Sequence, residues 1–222
     1  MTGESMSILL RSALVAGLCL ASFQVSAQQE RSHTYLEAGY VAQKIEAGGS
    51  DPLLKLDDID VDGAYAAGAV ELGSRFFLRG SLHKGTGDID VRLDGTSLAK
   101  LDVDAQQAAV GIGYFRPINE RLEWTAELGY QNTRLEFEND ALLFRDKVDG
   151  NDYRVSLGLR GDLNESLEAW VKASYTDGDI YEREFSGTFG ALLKINPIWG
   201  LVAEGSAGAG SHRYSIGLRA SF

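Results

Sequence analysis

The chain has 222 residues, a formal net charge of −11, 26 glycines, nine tyrosines, nine phenylalanines, three prolines and one cysteine. That charge excludes a nucleic-acid binder, which needs clustered Lys and Arg against phosphate. The single Cys19 lies in the N-terminal apolar run, so the rest of the chain has neither a disulfide framework nor thiol chemistry.

Residues 1–27 read as a cleaved secretory signal peptide. The apolar run "ILLRSALVAGLCLASF" carries Arg11 near its start and leads to small residues at Ser26 and Ala27. Arg11 leaves the run too short for the roughly 20 residues of a spanning helix. Leu18, before Cys19, is not the small residue of a lipoprotein signal. Residues 28–222 are then one exported domain.

From Thr34 onward the hydrophobic period is two, the period of a β-strand rather than a helix. Ten segments alternate, near 34–45, 60–72, 76–87, 103–116, 122–136, 149–161, 167–177, 185–195, 201–209 and 213–222. In "LEWTAELGYQ", Leu122, Trp124, Ala126, Leu128 and Tyr130 share one face, while Glu123, Thr125, Glu127 and Gln131 share the other. In "LEAWVKASYT", Leu167, Val171 and Tyr175 oppose Glu168, Trp170 and Lys172.

The connections alternate in length. Tight turns at "GSR", "PINER", "DLNES" and "NPIWG" alternate with longer segments near 48–58, 88–100, 138–147 and 177–184, with a short link at 210–212. With their flanks, over 47–62, 84–104, 136–152 and 177–184, these segments hold 20 of the 32 acidic residues. "NERLE" at 119–123 echoes "NESLE" at 164–168, a weak internal repeat of hairpins.

An even number of hairpin strands with short turns at one end and long loops at the other is the signature of a bacterial outer-membrane barrel. The expected fold is an all-β, transmembrane, antiparallel up-and-down barrel of ten strands. Short turns would face the periplasm and acidic loops the exterior. Phe76, Tyr114, Trp124, Tyr130, Tyr153, Tyr175 and Tyr214, on the apolar face, are candidates for interfacial girdles.

The polar face carries Glu37, Glu71, Glu123, Glu127, Glu168 and Glu204 against Arg79, Arg154, Arg160, Lys172, Lys194 and Arg219. Enclosed in a narrow lumen these charges would be desolvated and must pair, and equal numbers allow it.

The closing segment "YSIGLRASF" places Tyr214, Ile216, Leu218, Ala220 and Phe222 on one face. It resembles the C-terminal assembly signal of outer-membrane barrels, which implies recognition by the barrel-assembly machinery. Together with "YLEAGYV" (35–41), "DVDGAYAAGAVEL" (60–72), "AAVGIGY" (108–114) and "NPIWGLVAEG" (196–205), the chain resembles the Ax-type outer-membrane and vesicle proteins of plant-associated gammaproteobacteria. That resemblance implies a fold and a location and brings no catalytic motif.

Among local motifs, "DDIDVDG" aligns Asp58, Asp60, Asp62 and Gly63 with the first half of a calcium loop, but the Glu needed at its twelfth position is Ala69. These aspartates could hold Ca²⁺ or Mg²⁺ weakly, bridging to lipopolysaccharide phosphates; a solvated acidic rim is the alternative. Asp-x-Asp doublets recur at Asp88/Asp90, Asp102/Asp104 and Asp177/Asp179. Of the histidines, His33 precedes the first strand, His83 faces inward and His212 lies with Ser211 in the shortest outer loop. None sits in a G-x-S-x-G frame, so no catalytic residue is assigned.

The expected protein is a non-enzymatic, monomeric outer-membrane barrel without a resident cofactor, touching outer-membrane lipid and lipopolysaccharide. Its role would be structural, or surface interaction through the acidic loops. The alternatives are a narrow, cation-preferring small-solute pore and, further off, a lipid-modifying barrel enzyme.

Overall fold

Antiparallel pairing runs without interruption around a ring of ten strands. The structure, a computed structural model, describes residues 31–45, 54–56, 58–93, 96–139, 144–181, 183–208 and 210–222. The leader read at 1–27 lies outside the described residues, and the barrel occupies the unit Ser32–Ser221.

Eleven strands are present among the described residues: β1 (Tyr35–Ile45), β2 (Leu54–Leu56), β3 (Ile59–Leu72), β4 (Phe76–Leu93), β5 (Thr96–Asn119), β6 (Leu122–Asn139), β7 (Phe144–Asp162), β8 (Leu167–Gly178), β9 (Glu184–Lys194), β10 (Trp199–Gly208) and β11 (Ser211–Ser221). Each barrel strand pairs with the next, and β11 pairs with β1 over eleven positions from Tyr35↔Ser221 to Ile45↔Ser211. The last strand is therefore ordered by the first, and no ladder edge stays open. Only β2 stands outside the ring, pairing with the end of β4 at Leu54↔Leu93.

Local chemistry sets the short turns. Asn119, Asn164 and Asn196 each accept, on Oδ1, the backbone N–H two residues on: Arg121 at 2.8 Å, Ser166 at 2.9 Å and Ile198 at 2.9 Å. These Asx turns explain the NERLE and NESLE repeat, because the shared asparagine does the same work in both. The fourth turn uses Gly73 at φ 68°, a left-handed conformation suited to glycine.

Two hairpins correct the sequence reading. The segments expected as loops at 88–100 and 138–147 are mostly ladder: β4 runs to Leu93, β5 starts at Thr96, β6 runs to Asn139 and β7 starts at Phe144. Their charges suggested loop, but Ile89 and Val103 alternate inward and close, with Ile59 and Val61, a small apolar cluster backed by Ile45, Leu101, Ala105 and Phe137. The extended register also aligns the doublets. Asp60, Asp88, Asp102 and Glu138 face one another across four adjacent strands on the outer face, and Asp104 lies opposite Glu136 on the same face. Further along, the Lys147 ammonium bonded to Glu136 at 2.7 Å holds that carboxyl below the usual carboxylate range. His212 is likewise strand rather than loop, since β11 begins at Ser211.

The two faces are inverted relative to a soluble protein. Leu36, Leu82, Val110, Leu128, Val155, Leu157, Phe189 and Ile216 all point outward, and Phe185 is 72 % exposed. A sandwich would bury this face. Outward aromatic rings meet in two groups: Phe76 with Tyr114 and Tyr114 with Trp124 on the strand ends nearer the short turns, then Tyr130 with Tyr153 and Tyr175 with Phe185 nearer the long hairpins.

Candidate functional site: the barrel interior

Polar residues on alternate positions of all ten strands converge inside the ring, in three tiers. Nearest the short turns, the segment before β1 turns inward. His33, 3 % exposed, stacks between Phe115 (centroids 3.9 Å apart) and Phe77 (4.8 Å). Its Nε2 lies 2.9 Å from Glu123 Oε1 and its Nδ1 3.3 Å from Arg160 Nη1. Arg160 bonds Glu168 at 2.6 Å and the carbonyl of Ser32 at 3.1 Å. Lys194 bonds Asp162 at 2.8 Å, and Arg219 bonds Glu37 at 2.7 Å while lying over the Tyr35 ring at 4.1 Å. This tier plugs the short-turn end.

In the middle, Lys172 and Arg79 share Glu127, at 2.5 Å and 3.6 Å. Trp170 Nε1 donates to Glu204 at 2.8 Å, its indole lying over Gly190, where a Cβ has no room. Arg154 donates to Thr176 Oγ1 at 3.0 Å. Arg79, Glu127, Arg154, Lys172 and Glu204 border a cavity of about 150 Å³.

Towards the long hairpins, Arg213 donates to the side-chain oxygens of Gln43 (2.8 Å) and Gln107 (2.9 Å), and Gln43 Nε2 donates to Tyr181 at 3.3 Å. Tyr181 lies in the link after β8, which Asp152 anchors. Fully buried, its Oδ1 accepts the backbone N–H groups of Ile180 at 3.0 Å and Tyr181 at 3.1 Å.

Nine of the twelve charges expected in the lumen sit in ion pairs: Glu37, Arg79, Glu123, Glu127, Arg160, Glu168, Lys172, Lys194 and Arg219. Arg154 and Glu204 bond neutral partners. Glu71 stands apart beside the Gly73 turn, where its backbone N–H donates to Thr34. Of the closing segment, Tyr214, Ile216 and Leu218 point outward while Ala220 is covered. Asp58 pairs with Lys44 at 2.8 Å, and no three His, Cys, Asp or Glu side chains among the described residues converge to hold a metal ion. Asp60 and Asp62 lie along the outer face of β3.

Sequence reasoning missed His33, Asp152, Asp162 and Arg213 as interior groups. Parity marks the last three, since Asp152 and Asp162 alternate with Arg154 and Arg160, and Arg213 with Arg219. Nothing in the sequence marks His33, which precedes its strand.

A closed antiparallel ring with a charged interior and an apolar exterior defines a transmembrane β-barrel. Residues 13–191 match the outer membrane protein beta-barrel domain, and the chain belongs to that family. It is a protein of the bacterial outer membrane. Among solved structures, the translocator domain of the autotransporter NalP from Neisseria meningitidis is similar at TM-score 0.55 and 13% identity, covering 98% of this chain and 95% of that one. The beta domain of the Bordetella autotransporter BrkA gives 0.54 and 13%, covering 85% and 98%. OprG from Pseudomonas aeruginosa gives 0.48 and 12%, covering 87% and 98%. The two autotransporter likenesses show the fold alone. No curated protein matches significantly.

Proposed function

We propose that the protein is a non-enzymatic outer-membrane barrel that acts at the cell surface through the acidic face of its extended hairpins. The observation that carries this reading is the row Asp60, Asp88, Asp102 and Glu138, aligned across four strands beyond the lipid-facing apolar belt. Like charges directly opposite one another destabilise a sheet; Arg145, opposite Glu138 on β7, offsets one end of the row, and a polycationic partner would relieve the repulsion further. The plugged short-turn end supports this reading over the pore. The central cavity favours the pore as the second reading, with small conductance.

Export by residues 1–27, assembly through the closing segment, a monomeric state and contact with lipopolysaccharide belong to the same proposal. So does the finer resemblance to the Ax-type proteins, which rests on the segments quoted above. The test uses proteoliposomes and a soluble polylysine probe. Neutralising the row with D60N, D88N, D102N and E138Q should keep the mobility shift between unboiled and boiled gel samples and reduce polylysine binding. Unchanged binding by the folded variant would sink the surface reading, and sustained single-channel current through the wild type would install the pore.

A further inference from the structure

The central cavity has a charge imbalance that the surface role does not use. Its lining includes four cations, Arg79, Arg154, Lys172 and Arg213, and three carboxylates, Glu37, Glu127 and Glu204. Glu37 is already held by Arg219, which lies outside the lining. Glu127 serves both Arg79 and Lys172. Among the described residues, Arg154 bonds the Thr176 hydroxyl, through Nε, and Arg213 the amide oxygens of Gln43 and Gln107. Among the described residues, neither guanidinium has a carboxylate within ion-pair distance, and each keeps N–H donors in hand. His83 lines the same cavity with a buried Nδ1 that has no hydrogen-bond partner among the described residues.

Charge in a narrow, low-dielectric interior is costly unless matched. A guanidinium is matched best by a planar or tetrahedral oxyanion, which accepts two parallel N–H bonds. The Ser156 and Ser174 hydroxyls, bonded to each other at 2.8 Å on the cavity wall, can turn to donate as well. The lining offers no continuous apolar bed, and about 150 Å³ suits a solute of a few heavy atoms with its water.

We propose that the lumen holds a small free oxyanion, a carboxylate or a phosphate, between Arg154 and Arg213. The site gives the interior the opposite preference to the acidic exterior: cations gather at the long hairpins and an anion is held within.

Titration calorimetry on the refolded full barrel in detergent, with inorganic phosphate and separately with acetate, tests this. Wild type should bind at least one of the two saturably, at one site per barrel. R154Q and R213Q should each weaken that binding by about tenfold, the loss of a charge-assisted contact. E204Q should tighten it, because it removes a negative charge from the wall while its amide oxygen can still accept the Trp170 N–H; a misfolded variant cannot give that result. R134Q, on the outer hairpin, should bind as wild type does. Wild type that binds neither ion, or R213Q and E204Q proteins that bind with wild-type affinity, overturn the proposal. Gel mobility before boiling selects folded variants.

Discussion

Replacing His33 with alanine should unseal the short-turn end. The imidazole is stacked on two phenylalanine rings, at 3.9 and 4.8 Å, and lies 2.9 Å from a nearly fully buried carboxylate, Glu123. Each ring pair contributes about 0.5–1.5 kcal/mol, and the hydrogen bond between Nδ1 and the Arg160 guanidinium, at 3.3 Å, about 1.5–3 kcal/mol. Arg160, 3.7 Å from Glu123, can close on that carboxylate and recover part of the loss. The net cost should be about 2–4 kcal/mol, a large share of the stability usual for a domain. Urea unfolding of the barrel refolded into phosphatidylcholine vesicles, followed by tryptophan fluorescence, measures it. His33→Phe separates the contributions, since it keeps the stack and removes the polar contact, and should lie between wild type and alanine. If His33→Ala unfolds within about 0.5 kcal/mol of wild type, the range of an inconsequential surface change, His33 is not part of the seal.

Asp152→Ala removes the acceptor for the Ile180 and Tyr181 N–H groups. Amide exchange at those two positions should rise at least about tenfold with barrel strands unaffected, and D152N, which keeps an oxygen in place, should stay close to wild type. Equal protection in D152A would refute Asp152 as the anchor of that link. Gly190→Ala forces a methyl into the Trp170 indole and should cost about 1–3 kcal/mol, with a shift in tryptophan emission; an unchanged emission spectrum and urea midpoint would show that the indole is not held there.

Most of the ring was legible because period-two alternation is a direct imprint of the pleat. Leu128 and Tyr130 outward, Glu127 and Gln131 inward, follow from parity alone. Parity does not say which side meets water, and a soluble sandwich carries the same alternation with its apolar face turned inward. The hairpin ends were misjudged for a different reason. Asp88 and Asp102 carry no strand preference of their own; they sit in strand because Ile89 and Val103, next to them, pack with Ile59 and Val61 along the inner face of three adjacent strands. Such partners are distant in sequence and invisible to local pattern. His33 shows the same limit more sharply, since its neighbours come from β4, β5, β6 and β7 while its own segment carries no period at all.

The outward apolar face has a consequence for how the chain reaches this state. Among the described residues, the buried apolar side chains form four small clusters, so closing the ring in water would hide charges and leave leucines wet. Collapse in an aqueous compartment is therefore driven towards the wrong topology, with the two faces exchanged. The bilayer supplies the missing half of the core, and insertion and strand closure must proceed as one event.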